Sequence, residues 1–470
     1  MGLFMKKKLG VKPVAMTLVL VIMAGMVFTG CDSKKKVDYG LDENSDMEDS
    51  GALLVSKLDV PESYNGDVKG IDSATGLTSV KIEVESISVP DTDKMSVVHC
   101  EKNVIDSDYK KRICETFLDV NEGIYVYDWE KPYKGDLENQ IEKLQGYAEH
   151  ATDDDTKAMY EEIISEYQSE LRTASDERKG AGEYTDDCFV GYRDGHMWQI
   201  SFETDENYRP GFEISLFDEY ITYRPKDDAV SANCYSSEYN NGRTLPDNSA
   251  KISKEEAINE GLDFLISCGI KDIVQTDCND NMWEYYDSSD ENVGVELDGY
   301  VITYKKGVDG VPAYTPMVYN LDALNTVTAD GMGDISYNAV DEVYNVTVDD
   351  SGILHVSATD AVRATGEKEE NVDLLSWDEI LDALPAAVNS FYSENKTSYS
   401  EITFNDVRLT YYKVKDGDGF KYVPVWAFTE CSLDLDGSNS DLLPPTQLIM
   451  IDAVDGSLID LKSALSESSI

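Results

Sequence analysis

A chain of 470 residues with 92 acidic against 40 basic side chains carries a formal charge of −52, a field that repels polyanions and excludes nucleic acid and anionic headgroups as partners. Its 41% hydrophobic and 10% aromatic content, with 29 tyrosines, is enough to fill real cores. At roughly 100 to 200 residues per domain the length implies two or three domains, while the acidity alone reads as a solvated surface and names no ligand.

The chain opens on Lys6, Lys7, Lys8 and Lys12, followed by an uncharged apolar run at residues 14–27. That run is shorter than the ~18 to 20 residues that span a bilayer and has the length of a signal-peptide core. Thr29, Gly30 and Cys31 follow directly. The arrangement resembles the lipobox of bacterial lipoproteins, with Phe28 standing where Leu is usual. The resemblance implies that residues 1–30 are a lipoprotein signal peptide and that Cys31 carries S-diacylglycerol and an N-acyl chain such as palmitate. The protein would then sit on the extracytoplasmic face of the cell membrane, held by lipid. Two acyl chains hold a protein stably, at ~0.8 kcal/mol per buried methylene, whereas one is marginal. The other readings of this stretch are a plain secretory signal and an uncleaved anchor. Removing residues 1–30 takes away four lysines and no acid, moving the charge from −52 to −56.

Residues 31–78 are polar, acidic and rich in Ser, Gly and Asp, and are expected to form a flexible tether. Residues 79–230 are expected to form an N-terminal α+β domain. Val80, Ile82 and Val84, then Ile87 and Val89, alternate as a strand that Pro90 closes, and residues 123–129 give a second strand, with a short helix at 109–117 between them. Residues 136–178 read as two helices. Leu137, Ile141, Leu144 and Ala148 mark the first apolar face, and Met159, Ile163, Ile164, Tyr167 and Leu171 the second, with Asp153, Asp154 and Asp155 at the break. Residues 189–202 read as a hairpin turning at Asp194 and Gly195, a pair suited to a type I′ turn. Residues 212–217 and 220–223 continue the strand pattern, and 225–250 reads as a loop or linker.

Downstream, one pattern is written twice, over 251–370 and 371–470. Ser253 with Glu256, and Ser376 with Glu379, are capping-box pairs opening amphipathic helices. Pro385 predicts a kink or restart in the second helix. Each helix leads into two hairpins. Their turns lie at 307–310 and 350–352 in the first copy, and at 416–419 and 455–456 in the second. The strand at 422–428 with Trp426, and the Asp455 and Gly456 turn, resemble the ending of PepSY-type modules and of the membrane-tethered YycH and YycI regulators. The chain as a whole is similar to a lipoprotein family of Gram-positive anaerobes. The expected fold class is therefore α+β, with antiparallel sheets, packed helices and two PepSY-like helix-plus-hairpins units. The resemblance implies a binding or inhibitory role and brings no catalytic residues; Trp426 and the Asp455 turn are fold markers in it.

Chemistry is sparse. His99, His150, His196 and His355 lie far apart, with no His-Glu-x-x-His. No Gly-x-Ser-x-Gly, Ser-x-x-Lys, Walker or dinucleotide loop occurs. Cys100, Cys114, Cys188, Cys234, Cys268, Cys278 and Cys431 are an odd set with no Cys-x-x-Cys. Pairing of Cys268 with Cys278 or of Cys100 with Cys114 stands against the reading that most are free, partly buried thiols. The aspartates at 416 and 418, and at 434 and 436, fit Asp-Gly turns, with calcium loops as the alternative. No catalytic residue, cofactor or metal ligand is assigned. Trp283, Tyr285, Tyr286, Tyr411 and Trp426 are the speculative binding surface for a sugar or peptide, against the alternative of cross-strand packing. The functional expectation is a non-enzymatic, membrane-anchored module for an exported or membrane protein or peptide. The alternative is an extracytoplasmic solute- or glycan-binding protein or hydrolase, which requires a pocket with convergent polar groups.

Overall fold

The computed structural model describes residues 52–128, 131–151, 154–204, 210–217, 220–227, 229–240, 243–287, 292–314, 342–394, 399–431 and 447–459. The expected lipidation residue Cys31, the aspartates at 434 and 436, and the His150 side chain lie outside the description. The fold is α+β with mostly antiparallel sheets.

In chain order the elements are α1 (Leu54–Lys57), β1 (Tyr64–Asp67), β2 (Ser79–Val84), β3 (Val97–Lys102), α2 (Ser107–Phe117), β4 (Ile124–Val126), α3 (Lys134–His150), α4 (Asp154–Glu170), β5 (Cys188–Arg193), β6 (His196–Glu203), β7 (Gly211–Leu216), α5 (Tyr220–Tyr223) and β8 (Ser231–Ser236). There follow α6 (Lys254–Ser267), β9 (Ile273–Tyr286), β10 (Asn292–Val308), β11 (Val311–Pro312), β12 (Val343–Asp349), β13 (Gly352–Thr359), β14 (Val362–Glu369), α7 (Trp377–Glu394), β15 (Glu401–Phe404), β16 (Asp406–Asp416), β17 (Gly419–Glu430) and β18 (Gln447–Asp452).

The largest sheet runs β4-β5-β6-β7-β13-β12-β10-β9-β8, with β11 on β10. One row of its ladder explains its core. Phe189, Ile200, Ile214, Val356, Val346, Ile302 and Cys278 are successive cross-strand partners, all buried, so period-2 alternation puts seven strands' apolar residues on one face. Residues of α2 and α6, among them Ile113, Phe117, Ala257 and Leu265, belong to the same core. The joint between β7 and β13 needs glycine: a Cβ on Gly211 would lie 2.0 Å from the Ala358 carbonyl oxygen.

A second core is built from both ends of the described chain. Strands β14-β3-β17-β16, with β18 on β17, form one sheet, and β1-β2-β15 another in which β2 and β15 run parallel. Leu54, Leu58, Val80, Ile82 and Met95 pack there with Ile380, Leu384, Trp426 and Ile451.

Three expectations about boundaries change accordingly. The tether expected over 31–78 is folded from α1 onward, since Leu54, Leu58 and Leu77 are buried and the Trp377 amide donates to the Leu58 carbonyl at 2.9 Å. The unit expected over 79–230 is divided: β2 and β3 join the C-terminal sheets, while β4 to β7 extend the sheet of the next unit. The linker expected over 225–250 contains β8, whose Ala232, Cys234 and Ser236 alternate inward. Apart from Tyr235 its side chains are small and unbranched at Cβ, which hid that strand from propensity.

The two halves are alike only in outline: α6 leads into the hairpins β9-β10 and β12-β13, with β11 a two-residue pairing on β10, whereas α7 leads through β15 into the hairpin β16-β17, and of the hairpin expected around 455–456 the described residues hold only the bridge between Ile451 and Leu458. Both boxes form their return bond. The Glu256 carboxylate accepts from the Ser253 amide at 2.9 Å and that of Glu379 from the Ser376 amide at 2.8 Å. Helix α7 runs through Pro385 without restarting. Asp194 and Gly195, at φ 52° and 79°, make the expected type I′ turn, and Asp309 and Gly310 repeat it. Gly417, at φ 60° between the paired Asp416 and Gly419, makes a tight hairpin turn there.

Candidate functional site

Four of the five aromatic residues singled out as a binding surface are core. Trp283, Tyr411 and Trp426 have no exposed area and Tyr285 keeps 1%. Tyr286 is half-buried and its hydroxyl donates to Glu284 at 2.6 Å. The five do not converge either: Trp283 and Tyr285 belong to the large-sheet core, and Tyr411 and Trp426 to the other. Alternation placed them on inward faces, where each ring is covered by other parts of the chain.

The seven described cysteines are free, six of them buried. Burial pushes the Cys100 thiol up to about 11 and those of Cys188, Cys234 and Cys278 up to about 12, the opposite of what a thiolate nucleophile needs. His99 contacts Asp416 at 2.9 Å and Glu369 at 3.3 Å. Burial alone would lower its pKa, but those two carboxylates outweigh it and raise it. His355 faces Glu213 at 3.4 Å, and His196 packs on Tyr223. Among the described residues no group of three or more His, Cys, Asp or Glu side chains is placed to hold a metal ion.

Polar chemistry concentrates in three places. The first is the seam between the cores. Asp360 accepts from the hydroxyls of Tyr109 at 3.0 Å and Tyr344 at 2.6 Å and from Asn103 at 2.8 Å, while Glu342 accepts from Lys413 and Tyr422. These bonds satisfy buried carboxylates and tie the two bodies together.

The second is the root of the α3 and α4 pair. This helical hairpin is inserted between β4 and β5, and Ile141, Ala148 and Ile164 form a small core of its own with Leu144, Tyr160, Tyr167 and Leu171. Its two ends are stapled together. The Lys134 amide donates to Ser175 at 2.8 Å, the Ser175 amide to Pro132 at 3.1 Å, and Arg178 pairs with the buried Asp136 while lying 4.6 Å over the Tyr133 ring. A cleft of about 150 Å³ beside this pair is lined by Asn139, Gln140, Lys143, Tyr192, Met197 and Phe217.

The third is the β8 end of the large sheet, over Trp283 and Tyr285. Residues 220–223, expected as strand, are the short helix α5, closed by the Arg224 amide donating to Tyr220 at 2.8 Å. With residues 224–227 it crosses the sheet as a strap. Tyr223 stacks on Trp283 at 6.3 Å and 8° between planes, and Tyr220 meets the same ring edge-on at 5.8 Å.

No protein-family model, curated protein or solved structure matches the chain. No helix of the described residues is long and apolar enough to cross a membrane. The strap was not singled out from sequence, and the arm was read there as a pair of helices with solvated outer faces. The available signals were the cations of Arg224 and Lys226 in an acidic chain, and a helical pair interrupting a run of strand patterns.

Proposed function

We propose that this is a lipid-anchored extracytoplasmic binding protein, held at Cys31, whose α3 and α4 arm docks an exported or membrane protein. The arm carries this reading. It is an insertion that the sheet does not need, it packs on itself, and rooted by the Asp136 and Arg178 pair it presents helical faces whose exposed positions include Glu138, Glu142, Glu149, Glu161, Glu162 and Glu166. Such a surface favours a partner with a basic face and speeds its encounter. Burial that raises the thiol of Cys188 speaks against a cysteine nucleophile there.

The test is to replace residues 145–159 with a short Gly-Ser link, which shortens the arm and leaves its root intact. Cross-linking in intact cells is expected to lose its captured protein while the melting temperature stays within a few degrees. Capture of the same proteins by the shortened arm would refute the reading. Serine at position 31 is expected to abolish palmitate labelling and release the protein from the membrane fraction; unchanged labelling would remove the anchor.

A second reading, binding of a small polar solute, is favoured by the cleft at the arm root, where Asn139, Gln140 and Lys143 face Tyr192 and Phe217.

A further inference from the structure

We infer that the β8 end of the large sheet is a groove for an extended peptide bearing an arginine and a lysine two residues apart, filled in this structure by the protein's own strap.

The floor has the composition that recognises cations. Cross-strand pairing sets Cys234, Trp283 and Glu296 in one row and Ala232, Tyr285 and Gly294 in the next, so Tyr285 lies between two small neighbours and Trp283 between a small one and a carboxylate. Asp298 follows on β10, and Ser249 donates to it at 3.3 Å. The Trp283 indole N–H meets no acceptor in this structure. Aromatic faces flanked by carboxylates attract guanidinium and ammonium groups through the ring quadrupole and through charge.

The strap shows how such a peptide would lie. The Arg224 guanidinium sits 5.2 Å from the Trp283 ring centroid and pairs with both Glu296 and Asp298. Two residues on, the Lys226 ammonium sits 4.8 Å from the Tyr285 centroid and also pairs with Glu296, whose other oxygen accepts from the Tyr285 hydroxyl at 3.2 Å. Gly294 leaves the passage for the lysine stem, because a Cβ there would come within 3.1 Å of it. Pro225 between the two cations keeps the segment extended.

The two halves of the strap are held differently. Tyr220 and Tyr223 are anchored by ring packing on Trp283 and by hydrogen bonds to Cys234 and Asp349. The side chains of Arg224 and Lys226 keep 25% and 31% of their surface in water, so their ion pairs are individually weak and exchangeable. A strap tethered in cis competes at an effective concentration on the order of millimolar, which masks the groove from free peptide and yields to a partner that also docks elsewhere. The inference shares with the proposed function only the idea of a protein partner, and its test involves neither the arm nor the lipid.

The test is calorimetric titration of the whole protein with acetyl-Tyr-Arg-Pro-Lys-amide and with a control peptide carrying norleucine in place of Arg and Lys. Removing the competing cations by R224A/K226A is expected to tighten binding of the basic peptide about tenfold or more relative to the unsubstituted protein. Adding Glu296→Gln to that background is expected to reverse the gain. The peptide should also raise the melting temperature of the double variant and leave that of the parent unchanged. Equal affinity before and after strap neutralisation, or equal binding of the norleucine control, would overturn the inference. If near-UV circular dichroism shows the double variant unfolded, K226A alone carries the same comparison at the Tyr285 subsite, with no tightening counting against the groove.

Discussion

Trp283 on β9, the first strand after α6, and Trp426 on β17, the third after α7, are both fully buried, and each has an indole N–H lacking an acceptor. Their covers differ. Trp426 lies 5.2 Å from Trp377 at the start of α7, in an aromatic nest with Phe428, Phe404 and Tyr64. Trp283 lies under a short strap held by stacking and by cations paired with Glu296 and Asp298. Rings equally buried on strands are thus covered in one case by a long helix and in the other by a short, ion-paired strap, and burial alone does not distinguish the two.

The largest expected effect separates the two directly. Trp426→Ala should cost about 4 to 5 kcal/mol, because α7 and its sheet cannot collapse into the space, whereas Trp283→Ala should cost about 3 kcal/mol as the strap settles. Urea unfolding of the two variants reads the difference; equal losses would place both rings in the same kind of core. A smaller effect tests the likeness of the units. Ser253→Ala and Ser376→Ala each remove a capping-box residue and should each cost about 1 kcal/mol, so a large inequality would break the correspondence between α6 and α7.

The smallest effect is in pH dependence, and it sharpens the contrast between the bodies. Burial and the charge of Asp277 push the Glu238 carboxyl up to about 7 at the β8 end, where Asn279 donates to both carboxylates. The folded state therefore holds a proton that the unfolded chain loses near pH 4.3, so stability should fall as pH rises from about 4.3 to about 7. Glu238→Gln should flatten that slope. In the other body His99, with its pKa raised by Glu369 and Asp416 against the effect of burial, contributes stability that is complete below pH 6.5 and lost as pH climbs through its higher folded value. His99→Gln should flatten only this later window. Urea midpoints measured between pH 4 and 9 check both signs.

Much of the fold was legible in local pattern. The two capping boxes, the Asp194 and Asp309 turns and the helical pair at 134–170 follow from side chains a few residues apart, where the interaction that decides the structure lies within the window being read. The boundaries were not legible. Leu54 and Leu58 lie in a polar stretch, and nothing near them in sequence indicates that Trp377 and Ile380 will cover them. The candidate sites fared worst: Trp283, Tyr285, Tyr411 and Trp426 were attractive because they are aromatic, and the same property took them into the cores.

What the sequence by itself determined is the capped helices, the Asp-Gly turns, the class of fold and the net acidity, because propensity, capping, turn stereochemistry and net charge are properties of neighbours or of sums. What only the tertiary structure decided is which strands share a sheet, that β2 meets β15 across the length of the chain, and that a strap with two cations crosses Trp283. Strand edges are chemically alike, so their pairing is selected by the packing of whole faces, a quantity that appears only when distant segments are brought together.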